Sequence, residues 1–530
     1  MSASFLRIDG KLSFFMLYTV PWLSILITLP TLGAGMIMSI RKQDKGSALN
    51  VRYVGLLSSF VSLCISLYLF TQFNPKVLGW QFIEDIPLFI PGFHYFLGID
   101  GLSLIFILLT ALLTFLVMLA SWRSVHDNIR EYIALFLFLE SLIMGAFCAR
   151  DLLLFYIFLE CLLVAMFFII GFWGGRRRIP AAFKFFLYTF LGSVPMFLGL
   201  VYIYYQVGTF DLRILVNYLF SKPEQNALWL VFFLSFSIKI SIWPLHAWLP
   251  DAHTQAPTGG SVILAGILLK LGGYGFFQFA LPLFPHASIF FAPAILFLGS
   301  IAVIYASCVA FAQTDIKRLV AYSSIAHMGF VSIGLFTFTV ESLQGAMFQM
   351  VSHGLTSAGL FLAVGIAYDR FHTRDINAFG GMVQILPRYA LWTMILILGS
   401  IGLPGTSGFV GEFLIAVGAF RSYPIIISCA VLGTVLGAVY GLRFYHKLFF
   451  GCYQQDSKEP VPPLSVQENG MLMTLSLCIV FFGIYPDALL RVTRVPVTRV
   501  LLCIQQKAPE LFVEKQGRHL SMWLRKRDRP

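Results

Sequence analysis

The sequence predicts an all-α protein that crosses a lipid bilayer about fourteen times, and three observations carry that prediction. Hydrophobic residues make up 58% of the 530, and Asp, Glu, Lys and Arg only 12%, about half the charge that a water-facing surface carries. Mean hydropathy is +0.82. The apolar residues fall in runs long enough for a helix to cross the hydrocarbon core, which takes about 20 residues. This composition excludes a soluble enzyme and a disordered chain, and the number of runs excludes a single-anchor receptor.

The runs lie at about 17–40, 52–72, 99–121, 132–148, 151–172, 181–206, 228–249, 258–282, 289–310, 319–338, 343–368, 389–420, 424–447 and 468–488. Only the Ala149-Arg150-Asp151 turn separates the fourth from the fifth, so the count could fall by one. The formal charge is +12, which in a soluble protein would suggest nucleic acid. Here the bases sit in short connections, where they orient helices across the bilayer. Odd-numbered connections hold Arg41, Lys42, Lys45 and Arg52, then Arg123 and Arg130, then Arg176 to Arg178, then Lys317 and Arg318, then Arg370, Arg374 and Arg388, then Lys458. Even-numbered ones hold Lys76, Arg150, Arg213, Lys222 and Arg421. The odd connections therefore face the cytoplasm or matrix and both termini the other side. One feature opposes this orientation: the tail from Arg491 onward carries ten basic residues, and the loop count exports it.

The eight cysteines lie apart, several inside apolar runs, so neither a disulfide framework nor a zinc or iron–sulfur site is supported. Met1 to Gly10 is short and polar, and no cleavable presequence is evident.

Two spans contain helix breakers. The seventh reads Trp243-Pro244-Leu-His246-Ala-Trp-Leu-Pro250 and the twelfth Gly402-Leu-Pro404-Gly405. Proline removes a backbone hydrogen bond, and freed backbone groups are tolerated at membrane depth only inside protein or beside water. Interruptions five spans apart suggest two inverted five-helix repeats, with ordinary proline kinks as the alternative. The expected organisation is 1–131 (helices one to three), 132–282 (helices four to eight), 289–447 (helices nine to thirteen) and 448–530 (the last helix and the basic tail).

An ionisable group at the bilayer centre costs at least about 2.5–3.5 kcal/mol and is normally paired, hydrated and functional. Glu140, Glu160, Lys239, Lys270 and Glu412 stand in such positions. Lysines can snorkel to the interface, but Lys270 is about twelve residues, or about 18 Å, from either end of its span. Glu140 has a plainer reading as a protonated carboxyl bonded to a neighbouring helix. His246 and His253 flank the break after span seven, and His327 and His353 lie in spans ten and eleven. Zinc would need a converging set with thiol or carboxylate help, whereas imidazole exchanges protons near neutral pH. A lone buried histidine is also commonly just a satisfied core residue. A mid-membrane row of Glu, Lys, His, Lys and Glu suits proton conduction, since opening a Glu–Lys contact toggles whether the lysine keeps its proton. No nucleotide loop, haem or iron–sulfur pattern is visible.

The segment Pro244-Leu-His-Ala-Trp-Leu-Pro-Asp-Ala-His-Thr-Gln-Ala-Pro257, with Gly260-Ser-Val-Ile-Leu-Ala-Gly-Ile-Leu-Leu-Lys270, resembles the antiporter-like subunits of proton-pumping NADH dehydrogenase, respiratory complex I. Asp315-Ile-Lys-Arg-Leu-Val-Ala-Tyr-Ser-Ser-Ile-Ala-His-Met-Gly-Phe330 and Leu403-Pro-Gly-Thr-Ser-Gly-Phe-Val-Gly-Glu412-Phe resemble the same family, and the match runs from about Ile99 to Tyr445. Sibling chains typically carry a lysine on the twelfth helix, where this one has Glu412. The resemblance implies fourteen helices in two inverted repeats. It assigns Glu160 and Lys239 to the channel ion pair, Lys270 to the central proton carrier and Glu412 to the outer exit. His327 and His353 fall on the hydrophilic axis. His246 and His253 match the motif with a role that carries over less securely, and Glu140 lacks a counterpart in every member. The resemblance further implies no cofactor in this chain. NADH, FMN, iron–sulfur clusters and quinone would belong to other subunits, and the partners would be other membrane-arm subunits, antiporter-like siblings among them, and the lipid bilayer.

Two rivals remain at this stage. One is a subunit of a multisubunit cation/proton antiporter, which shares the buried lysines and glutamates. The other is a structural spacer, which leaves five mid-membrane charges as an unexplained cost of about 10 kcal/mol or more.

Overall fold

A computed structural model describes residues 20–40, 45–452 and 461–509. Arg41, Lys42, Lys458 and the end of the basic tail lie outside them. Leaving aside single turns, the chain forms α1 (Trp22–Ser39), α2 (Lys45–Gln72), β1 (Gln81–Pro87), β2 (His94–Ile99), α3 (Gly101–Ser124), α4 (Ile129–Cys148), α5 (Leu152–Trp173) and α6 (Arg178–Val207). There follow α7 (Lys222–Ile240), α8 (Trp248–Gln255), α9 (Thr258–Leu283), α10 (Pro285–Ala312), α11 (Ile316–Phe336) and α12 (Val340–Phe371). The last are α13 (Pro387–Ser400), α14 (Ser407–Phe420), α15 (Pro424–Phe449), α16 (Val466–Ile484) and α17 (Asp487–Lys507). Among the described residues, twelve of these helices are long and apolar enough to cross a membrane. The protein is an integral, multi-pass, all-α membrane protein.

Both expected interruptions are present. The first span of the pair does not run on to residue 249: α7 stops at Ile240, Ser241 turns left-handed at φ 63°, and α8 resumes at Trp248. In the second, α13 and α14 are separated by a turn in which Gly402 (φ 73°) and Gly405 (φ 94°) take up backbone that other residues rarely adopt. Short polar side chains start the flanking helices. Asp100, Asp151 and Asp315 each accept from backbone N–H groups of the first turn, donors that would otherwise stay unpaired in lipid.

Two elements escaped the sequence pattern. The antiparallel β1–β2 hairpin, with a bulge between Gln81 and Glu84, precedes the third span, and the amphipathic α17 follows the last. The second docks at one end of the bundle, where Arg499 donates to Asp100 (3.1 Å), Gln344 to the Leu490 carbonyl (3.4 Å) and Lys507 to the Pro282 carbonyl (3.2 Å). All these partners flank even-numbered connections, so the described part of the basic tail lies on the side to which the loop count sent it. Its bases are accommodated there by protein partners.

Arg150, expected as a loop cation, is instead fully buried. It donates to Tyr274 (2.8 Å) and Ser103 (2.5 Å), stands 3.7 Å from Asp100, and shares the Trp80 ring with Arg499. Burial pushes the Asp100 carboxyl up, but Arg150 and Arg499 outweigh that and hold it below 3.8. Lys317 is likewise no water-facing orientation charge, since it is buried and donates to the Ala256 carbonyl at 2.6 Å.

Two backbone seams are built alike. Leu152 N–H donates to the Phe210 carbonyl (3.0 Å) and Leu212 N–H to that of Arg150 (3.1 Å). Ile316 N–H donates to Arg374 (3.0 Å) and Ile376 N–H to Thr314 (2.8 Å) in the same pattern. The first seam ties even-numbered connections and the second odd-numbered ones, so they lie at opposite ends of the bundle.

Candidate functional site

Glycines bring the central helices close enough for their few polar side chains to meet. In α9, a Cβ at Gly272 would stand 2.7 Å from the Ile240 nitrogen and the Phe236 oxygen of α7. Gly354 on α12 sits 3.0 Å, by the same measure, from the Gly266 oxygen of α9. Close backbone contact of this kind is how helices associate where no hydrophobic force drives them together. Lys270 lies in α9 between two π-helical stretches, Leu264–Leu268 and Phe276–Ala280, a local widening often found at functional positions. Its ammonium, 0% exposed, donates to the Ala265 carbonyl of the first stretch and contacts His353 Nδ1 of α12 at 2.7 Å.

His353 continues the line. Its ring centroid is 5.5 Å from that of His327 on α11, and His327 Nδ1 is 3.0 Å from Glu412 Oε1 on α14. The opposite nitrogen of His327 faces the Ser400 hydroxyl at the end of α13 (3.3 Å). Thr434 of α15 donates to Glu412 Oε2 (3.3 Å). A cavity of about 10 Å³ between Ser307, His327, Ser400, Glu412, Thr434 and Tyr440 is the size that holds about one water.

Glu160 and Lys239 form a separate pair, Nζ to Oε1 3.8 Å. Lys239 is the penultimate residue of α7, where the helix C-terminus favours a cation. Neither its ammonium nor Glu160 Oε1 has a hydrogen-bond partner among the described residues, so the contact is a loose ion pair at the rim of the bundle, with the glutamate side chain 20% exposed.

The expected row is therefore re-ordered. Contacts run Glu160–Lys239, then Lys270–His353–His327–Glu412, with both histidines between Lys270 and Glu412 and none between the lysines. His246 and His253 do not flank the break: His246 lies within it, edge-on to Tyr305 (5.5 Å), and His253 follows it in α8, stacked on Phe361 (4.6 Å). His253 is within electrostatic range of Lys317 and Lys270, but neither ring nitrogen has a partner among the described residues. Glu140 on α4 is buried, and neither carboxylate oxygen has a partner among the described residues. Sequence reasoning missed Gln349, Ser400 and Thr434, and it read the buried Lys317 as a loop charge. The first three carry no charge, so their presence in an apolar run costs too little to stand out.

Comparison with known proteins gives a consistent family. Residues 149–437 match the family described as "NADH:quinone oxidoreductase/Mrp antiporter, TM", and residues 27–149 match "NADH-ubiquinone oxidoreductase chain 4, amino terminus". NADH-quinone oxidoreductase subunit M of Rhodobacter capsulatus is 44% identical over 480 residues, 88% of this chain and 93% of that protein. Among solved structures, a chain of respiratory complex I from Thermus thermophilus with bound NADH superposes with a TM-score of 0.82 at 31% identity, over 91% of this chain and 99% of that one. The Mrp complex from Dietzia sp. gives a TM-score of 0.81 at 18% identity, over 93% and 99%, a likeness of fold alone. With its buried Lys–His–His–Glu line and these matches along most of its length, the chain belongs to the family of antiporter-like membrane subunits of NADH:quinone oxidoreductase, in the branch of subunit M, or chain 4.

Proposed function

We infer that this chain moves protons across the membrane as a subunit of the membrane arm of NADH:quinone oxidoreductase, beside its antiporter-like siblings. The observation that carries the reading is the buried line Lys270–His353–His327–Glu412, whose consecutive members are close enough to pass a proton directly or through one water. Lys270 is the central carrier, the two histidines relay, and Glu412 receives the proton on the outer side. Glu160 and Lys239 are the switch: closing their contact holds a proton on the lysine, and opening it releases one. On this reading NADH oxidation, flavin, iron–sulfur and quinone chemistry belong to other subunits. Its 44% identity to the Rhodobacter capsulatus subunit M and its match to the chain 4 amino terminus favour this over a cation/proton antiporter.

The broken pairs α7–α8 and α13–α14 supply the two crossings that bring the total to fourteen. Residues 132–282 and 289–447 are inverted repeats, between 1–131 and 448–530. The two like-built seams at opposite ends of the bundle support that division.

The test is NADH-driven proton uptake, measured with NADH oxidation, in inverted vesicles carrying Lys239→Ala in complex assembled to wild-type amounts. Uptake and quinone-dependent oxidation should fall together. If both are unchanged, the Glu160–Lys239 pair has no proton role.

A further inference from the structure

Gln349 is buried on α12, one helical turn before His353. Its amide nitrogen lies 3.2 Å from Glu412 Oε1 and 3.3 Å from His327 Nδ1, while those two atoms are 3.0 Å from each other. Three polar atoms thus form a triangle at the step where a proton would leave the imidazole for the carboxylate. The helices are cut to allow it. Gly411, just before Glu412, lies against Gln349, where a Cβ would stand 2.4 Å from the amide oxygen and 2.8 Å from Cα.

An amide N–H₂ only donates and neither takes up nor releases a proton. While His327 Nδ1 keeps its hydrogen, that hydrogen and the amide both point to Glu412 Oε1. Once the proton has crossed it sits on the carboxyl and first points back at Nδ1; when it turns to Oε2 and the cavity side, the lone pair left bare is on Nδ1, and the same amide serves it. The N–H₂ group can follow the vacancy across the triangle without moving the helices. In either state it pairs the member of the His327–Glu412 couple that would be left a bare buried acceptor, the costly condition, while its own oxygen has no partner among the described residues.

We propose that Gln349 is a positioning residue for the His327-to-Glu412 proton step, serving the bare acceptor on whichever side the proton is absent. This deepens the proton-transfer reading of the same site and rests on it. The ionisable groups facing the junction are His327 from α11, His353 from α12, Glu412 from α14 and Tyr440 from α15, with Lys270 of α9 behind His353.

The experiment compares Gln349→Leu, Gln349→Asn and Glu412→Gln in the assembled complex, reading the pH profile of NADH-driven proton uptake. Gln349→Leu removes the donor at similar bulk and should lower uptake about five- to tenfold with a displaced pH profile, because the acceptor left bare differs between the two proton states. Gln349→Asn keeps the amide on a shorter stem and should displace the profile less. In a His327→Ala background Gln349→Leu should add nothing. An undisplaced profile in Gln349→Leu, or a full additional loss beside His327→Ala, overturns the proposal. If Gln349→Leu does not assemble, the profile of Gln349→Asn decides: displaced supports it, undisplaced overturns it. If Glu412→Gln itself pumps like wild type, the underlying proton-path reading has failed. Loss in Glu412→Gln with an undisplaced profile in the Gln349 variants refutes the positioning role alone.

Discussion

Shortening Glu160 by one carbon tests the switch by distance alone. At 3.8 Å and an effective dielectric near 20, two unit charges attract by about 4 kcal/mol. Glu160→Asp withdraws the carboxylate by about 1.5 Å, which cuts the attraction to about 3 kcal/mol. The difference, about 1.2 kcal/mol, is about eightfold in the lysine's proton-binding equilibrium. Glu160→Gln removes the whole attraction, about a thousandfold in the same equilibrium. NADH-driven proton uptake, normalised to assembled complex on a native gel, should therefore rank wild type above Glu160→Asp and Glu160→Asp far above Glu160→Gln. Combining Glu160→Gln with Lys239→Met should be no worse than either single change, because the pair acts as a unit. Wild-type uptake in Glu160→Gln, or a Glu160→Asp variant as dead as Glu160→Gln, would refute the reasoning.

Replacing Lys270 by Met keeps its length and packing but removes the ammonium; assembly should persist while proton uptake and NADH oxidation fall at least about tenfold. Gly272→Ala forces a methyl group against the α7 backbone and should cost about 1–3 kcal/mol, seen as a lower thermal transition of the complex in detergent. Gly35→Ala meets nothing within 4 Å and should leave that transition in place. Asp100→Asn leaves Arg150 buried without its counter-charge and should cost about 3–5 kcal/mol, read by the same transition. Because the native Asp100 value is lowered, its contribution is complete above pH 3.8 and is lost as pH falls through the lowered value. Hydrogen exchange of α17 amides should stay slow from neutrality down to that range and quicken below it.

How much the sequence disclosed depended on what each feature cost in lipid. A lone Lys270 or Glu412 in an apolar run violates bilayer physics loudly, as do the Pro244 and Pro404 interruptions, and these were legible. Gln349 and Thr434 violate it so mildly that they disappear among serines and threonines bonded to their own helices. Arg150 and Lys317 misled in the opposite way. Basic residues at span ends look like interfacial anchors, and only three-dimensional packing shows them sealed inside. The β1–β2 hairpin lacks the length of a span and the clean alternation of a longer strand pair, so its Pro-rich stretch gave no signal. The amphipathic α17 was hidden because its bases read as a tail, while the Asp100 that receives Arg499 lies far away in the chain. The order of the axis was likewise out of reach, since sequence separation does not say that His353, and not His246, meets Lys270.

The two π-helical stretches around Lys270 give α9 a phase as well as a composition. Each widened turn holds one residue more than an α-turn, and each residue advances the helix by about 100°. Deleting a single residue from Leu264–Leu268 would let that stretch relax to ordinary helix with the later side chains left nearly in phase, because the widened turn takes up its extra residue within one revolution. Gly272 would stay against the α7 backbone and Tyr274 beside Arg150, but the Ala265 carbonyl that now accepts from the Lys270 ammonium would be drawn back into the helix's own ladder. A span like this holds one spare residue at each widened turn, and the spare is what sets a backbone carbonyl apart for the ammonium.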